Sequence, residues 1–447
     1  MVECPRIAPK RAKNSVAIEV IAVILLKPGD QNGNPGFETK ERATHATCLR
    51  RIVLMSWLLF SITLPIYSAD FAFTANAGDG NISVYAINSA TGALSLISGS
   101  PFADPVCGPP NSPGPCPVWV APDSAGRFLY VTEPRSCLSS VSVFSIDSST
   151  GGLTFVPGST LVVGGVPQSI SIHPSGKFAY VTDIVSGSIS AFSVDAITGK
   201  LNAISGSPFS TSLGAVVASF HPTGRFLYVG TWTGLLYTFS IDALTGVLTA
   251  VPGSPYVGGN RAVVHPSGTF VYAGGPTPGI GYQIDAVTGT LTPLSGASDF
   301  SFRGVGAEID PTGRFLHTTG DVENTVHGFL IDTSLGSLSE MPGSPFAAGG
   351  DAAWTALDPT GTRLYVVNGY DFNVSSYAID AVSGSLTQIP GSPFASGYGT
   401  QAIATVRLTL TPSQAVSSLI ADVAQLSSLN GGELNSLTKS LQNVLVS

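Results

Sequence analysis

"IDALTGVLTAVPGSPY", residues 241–256, decides the fold because the chain spells it repeatedly. "VDAITGKLNAISGSPF" stands at 194–209 and "IDAVSGSLTQIPGSPF" at 379–394. The turn glycines of this phrase are Gly92, Gly151, Gly199, Gly246, Gly289, Gly336 and Gly384, and after the first interval they recur every 43 to 48 residues. A second phrase precedes each copy: "HPSGKFAYV" from His173, "HPTGRFLYV" from His221, "HPSGTFVYA" from His265, "DPTGRFLHT" from Asp310 and "DPTGTRLYV" from Asp358. "APDSAGRFLYV", from Ala121, is a stretched version. A period in the forties with four strand signals per copy is the mark of a β-propeller blade.

Blade four shows the alternation. "AVVASF" predicts strand A, "RFLYVG" strand B, "LLYTFSID" strand C and "VLTAV" strand D, with Pro and Gly supplying the turns between them. Asp242 and its equivalents are expected to cap their turns through the side chain. "PGSPF" is expected to lead from strand D towards the next inner strand, with its aromatic residue between blades. The first copy opens on "DFAFTANAG", which matches strand B, while "GTQAIATVRL" near the end matches strand A. The reading is therefore all-β: a seven-bladed β-propeller over residues 70–408 with four-stranded blades. Residues 401–408 complete blade one and close the ring, which removes the free sheet edges. Beyond it, residues 409–447 place leucines at helical spacing around Gly431-Gly432 and predict a helical hairpin tail.

Composition supports this and excludes other classes. Charged residues are only 11%, with 51 Gly and 32 Pro, a mix that favours short strands and turns over helices. The net charge is −8, although nine of the 20 Lys and Arg fall in residues 1–51. A nucleic-acid binder would carry the opposite sign. Residues 1–69 form an N-terminal extension. Within it Arg50-Arg51 and the apolar run that follows, about residues 50–69, look like a secretory signal. The run is too short for a comfortable membrane span. The expected address is extracytoplasmic, and the mature chain, without a membrane span, is expected to be a monomer. A disulfide is expected between two of Cys107, Cys116 and Cys137, with the pairing open.

Few residues invite chemistry. His173, His221 and His265 could suggest a metal, but Asp310 and Asp358 take the same place in later blades, so the position reads as a turn acceptor. No metal or cofactor is expected. His317, which replaces the Tyr of "FLY", reads as a packing residue between blades. Nucleophile elbows and phosphate loops are absent. A small-molecule site is expected at the channel mouth, on the face where strand A begins and the B–C loops lie. There Arg261, Arg303 and Asp351 come from adjacent blades and form the candidate catalytic group. The two guanidinium groups would hold an anion, and Asp351 would act as base. Gln168, Trp232, Tyr370 and Gln401 are the candidate substrate-binding residues, although solvated rim residues would look the same.

With these phrases laid out, the chain resembles the seven-bladed lactonase propellers, which include 6-phosphogluconolactonase, and also the YVTN-type surface propellers through "YVT" at 130–132 and 180–182. The first resemblance implies a lactone hydrolase using His, Arg and acidic residues near the starts of inner strands. The second implies a non-catalytic propeller that binds a surface protein or glycan.

Overall fold

The computed structural model describes residues 68–107, 116–134, 139–275, 278–300, 304–320 and 322–409. Seven antiparallel sheets each run D–C–B–A from rim to axis. In blade four the strands are Ala215–Phe220, Phe226–Thr231, Leu235–Ile241 and Leu248–Ala250, as the alternation predicts. Blade one takes its inner strand from the other end of the chain. Thr400–Thr409 pairs antiparallel with Ser68–Asn76, from Ser68 opposite Thr409 to Asn76 opposite Thr400. At the register pair Asp70–Arg407 the guanidinium donates from Nε and Nη2 to the two carboxylate oxygens, both at 2.8 Å. The tail hairpin, the signal-like segment and Cys137 lie outside the described residues. Cys107 and Cys116 form a disulfide.

The two repeated phrases turn out to be the two halves of one joint between blades. Asp242 Oδ1 accepts the N–H groups of Leu244 and Thr245, and Asp195, Asp285 and Asp380 do the same in their blades. That turn puts Gly246 at φ 73°, a left-handed conformation that glycine adopts freely. Its bare Cα then receives the Phe178 ring of the preceding blade, since a Cβ there would sit 2.6 Å from Phe178 Cδ1. Tyr180, two residues on, donates from its hydroxyl to the carbonyl of Gly246 at 2.8 Å. Tyr272 reaches Gly336, and Tyr365 reaches Gly92 across the ring closure. Tyr130 and Tyr228 occupy the same place, but their hydroxyls find no acceptor among the described residues. Burial of the Phe, about 2–3 kcal/mol, outweighs a net hydrogen bond of about 1 kcal/mol. The joint therefore holds in those blades as well.

His317 fills the Tyr position in blade six, and its Nε2 bonds to the Gly384 carbonyl at 2.9 Å, which agrees with its reading as an inter-blade residue. The three "HP" histidines do more than accept turn bonds. His173 Nδ1 accepts the N–H of Ser175, so the proton sits on Nε2, which donates to the carbonyl of Gly224 in the next blade. His221 and His265 repeat the arrangement towards Gly268 and Gly313. Asp310 and Asp358 keep only the turn half, accepting N–H bonds within their own blade.

The "GSP" segments depart from expectation. They do not lead away from the blade: strand D bulges there and then pairs again with its own strand C. In blade four Leu248–Ala250 pairs with Phe239–Ile241, and Tyr256–Val257 pairs with Leu235–Leu236. The bulge would leave a strand C amide unpaired, and the Ser hydroxyl fills that gap. Ser254 Oγ accepts the N–H of Thr238 at 2.9 Å, as Ser207 does for Ala191 and Ser392 for Ser376. The aromatic residue that follows still packs between blades, as Phe209 does.

Two outcomes test this account. Gly246→Ala should cost roughly 2–4 kcal/mol in urea unfolding, because it combines backbone strain with a clash against Phe178. Gly176→Ala, at φ 68° but with open space around the new methyl, should cost only about 1 kcal/mol. Equal costs would remove the joint from the explanation. Burial depresses the pKa of His317 to about 4, while the Gly384 carbonyl and Asp310 oppose the shift. Its stabilising contribution is therefore full above an unfolded pKa near 6.5 and lost as pH falls towards 4, by up to about 1.4 kcal/mol per pH unit. His317→Tyr should flatten the stability curve between pH 6.5 and 4 relative to the parent protein, and parallel curves would contradict this.

Candidate functional site

The inner strands alternate between residues that face the axis and residues that pack into their own blade. The upper part of the axis is filled. Val120, Val217, Trp354 and Ala402, from blades two, four, seven and one, belong to one buried apolar cluster, with Trp119 packed against it. The Trp119 and Trp354 rings meet edge to face with centroids 4.5 Å apart. Beside this plug lies a cavity of about 370 Å³ lined by inner strands from all seven blades. It extends along the strand ends that lead into the "HPxG" turns, through Pro122, Ile172, Phe220, Leu357 and Thr405.

Two charged side chains stand among its described lining residues, Arg261 and Glu308, from adjacent blades. Arg261 opens the inner strand Arg261–Val264, and Glu308 is central in Ala307–Ile309. Arg261 Nη2 lies 3.7 Å from Glu308 Oε1 and donates to the Ala307 carbonyl at 3.1 Å. The guanidinium also sits 5.6 Å from the Trp354 ring centroid, within cation–π range. Arg261 Nε is buried and has no acceptor among the described residues. Burial in the channel pushes the Glu308 carboxyl up to about 7, while Arg261 pulls it back. Burial also lowers Arg261, with Glu308 opposing, yet a guanidinium stays charged. A carboxyl that titrates near neutrality beside a fixed cation and next to open volume can move a proton.

Of the residues that the sequence singled out, Arg261 lines this cavity. Arg303 lies outside the described residues. Asp351 does not line the cavity. It takes a left-handed conformation at φ 58°, its N–H donates to Asn324 Oδ1, and its carbonyl accepts the N–H of Gly369. Its carboxylate lies against Gly369, where a Cβ would be 2.3 Å from Oδ2. Gln168 and Gln401 are not lining residues either. Trp232 and Tyr370 are exposed at the rim. Glu308 was not singled out from the sequence, although "GAEIDP" sets an acid where blades two to five and seven carry Ala, Ser or Val before the turn. The three "HP" histidines serve the blade joints, and no group of three His, Cys, Asp or Glu gathers among the described residues.

Residues 66–218 match the sequence pattern of the family described as "Lactonase, 7-bladed beta-propeller". The match covers 153 of the chain's 447 residues. No curated protein matches it. Solved lactonase propellers share its fold. A candidate 6-phosphogluconolactonase of Bacteroides uniformis is 16% identical, with a TM-score of 0.64 over 76% of this chain and 99% of that one. The periplasmic gluconolactonase of Pseudomonas aeruginosa is also 16% identical, with a TM-score of 0.61 over 76% and 100%. At such identities the likeness extends to the fold alone.

Arg261→Met should raise the Glu308 pKa above about 7, because the opposing charge is lost. Carboxyl carbon NMR through a pH titration reads it directly. An unchanged midpoint would mean that the two groups are not coupled.

Proposed function

We propose that the protein opens a lactone by water attack in the central channel, with Arg261 and Glu308 as the working pair. The observation that carries this reading is the pair itself: a permanent cation and a near-neutral carboxyl, 3.7 Å apart, beside a ligand-sized cavity. The match of residues 66–218 to the lactonase propeller pattern supports it. Ionised Glu308 takes a proton from water, and the water oxygen bonds to the lactone carbonyl carbon. Negative charge collects on the carbonyl oxygen, which Arg261 stabilises. The tetrahedral species then collapses, the ring C–O bond breaks, and Glu308 returns the proton to the departing alkoxide. The product is one open-chain hydroxy acid. The signal-like segment and the Cys107–Cys116 disulfide support an extracytoplasmic place of work.

Hydrolysis of a panel of lactones by the purified protein tests this. Turnover should follow a single ionisation near pH 7, rising as Glu308 loses its proton, and Glu308→Gln should lower kcat by at least about 100-fold. Turnover equal to the parent's in Glu308→Gln, with folding intact, would remove the pair from the reaction. No turnover on any lactone would instead favour a binding role for the propeller.

A further inference from the structure

We infer that the channel site selects an uncharged lactone with an apolar body over a sugar or phosphosugar lactone, an inference that rests on the lactone-opening reading above. Charge decides the first exclusion. Arg261 is the one cation in the described lining, and it already faces Glu308. A phosphomonoester would bring close to two negative charges at neutral pH, and no Lys, His or second Arg stands among the described lining residues to pair with them. A buried charge left unpaired costs several kcal/mol.

Hydrogen bonding decides the second. Three lining hydroxyls have already given their protons to backbone carbonyls of a neighbouring inner strand. Ser171 Oγ donates to Ala218 and Ser219 Oγ to Ala262, both at 2.7 Å, and Thr405 Oγ1 donates to Leu357. These hydroxyls can accept but not donate. A polyhydroxylated ring buried there would leave its own oxygens short of donors, at about 1–3 kcal/mol for each unpaired group. The charged donor of the described lining is a single guanidinium, Arg261, which already spends one Nη2 bond on the Ala307 carbonyl. That supply suits a single ester group. Apart from Thr355, the remaining lining side chains are apolar, including Ile170, Val217, Phe220, Leu357 and Ile403, and would cover a hydrocarbon body. A volume of about 370 Å³ lies at the small end of ligand sites, enough for a fused bicyclic or short-alkyl lactone.

Three substrates separate the classes: 3,4-dihydrocoumarin, glucono-δ-lactone and 6-phosphoglucono-δ-lactone. Their rates with the purified full chain are compared above spontaneous hydrolysis. Dihydrocoumarin should show a kcat/KM at least about tenfold above the glucono-lactone, and the phosphorylated lactone should show none. A higher kcat/KM for either sugar lactone overturns the inference while leaving the hydrolase reading standing. The matching lactams, 3,4-dihydroquinolin-2-one and gluconolactam, resist hydrolysis and report binding by calorimetry without turnover. Preferential binding of the quinolinone with no lactone turned over would uphold the class and overturn the reaction. Preferential binding of gluconolactam, or binding of neither lactam, would overturn the class. Val217→Lys, which adds a cation to the wall, should weaken quinolinone binding by about tenfold in a protein whose folding is confirmed by its unfolding transition. Unchanged affinity would place the ligand elsewhere.

Discussion

One contact recurs around the ring: an aromatic side chain of one blade seated on the bare Cα of a turn glycine in the next. Gly246 under Phe178, Gly289 under Phe226 and Gly384 under Phe315 are three instances of it. The carbonyl of the same glycine accepts a Tyr hydroxyl or His317 where the bond forms, so packing supplies the energy and hydrogen bonding fixes the angle. Arginine adds a third point in some blades, as Arg225 does with the Ala286 and Val287 carbonyls. Blade seven makes the joint to blade one with Arg363 and Tyr365, towards Ala90 and Gly92. The closing strand Thr400–Thr409 thus finishes a ring whose rim is already locked.

This division of labour explains why the phrases say so little about chemistry. The repeated residues are occupied at the rim and the blade faces. The axis is built from positions where the copies differ, and there the chain placed two tryptophans, one arginine and one glutamate among mostly aliphatic neighbours. The apolar plug of Trp119, Val217 and Trp354 also sets the electrostatics. By lowering the polarity around Arg261 and Glu308 it strengthens their mutual attraction, yet it raises the carboxyl because desolvation outweighs a single cation at 3.7 Å.

The fold was legible because periodicity and turn chemistry are local signals. Blade number, the closing strand and the capping role of Asp242 follow from residues adjacent in sequence. The role of "GSP" did not follow, because Ser254 acts on Thr238, sixteen residues earlier, across a bulge that no pattern announces. The reach of His173 into the next blade was hidden for the same reason. At the site, Arg261 stood out as a charge in an apolar strand. Glu308 did not, because its significance depends on burial and on Arg261, and both appear only once the ring is closed. Asp351, adjacent to the axis by blade order, turns its backbone and carboxylate towards the loop at Gly369.

The central claim is that the chemistry sits in the channel beside the tryptophan plug and not on the loop-bearing rim. A crystal structure with 3,4-dihydroquinolin-2-one bound tests it most directly. The account predicts a ligand whose carbonyl oxygen meets the Arg261 guanidinium, with its ring against Trp354 and the aliphatic wall. A ligand seated on the rim near Asp351 and Tyr370, with the channel unchanged, would contradict it.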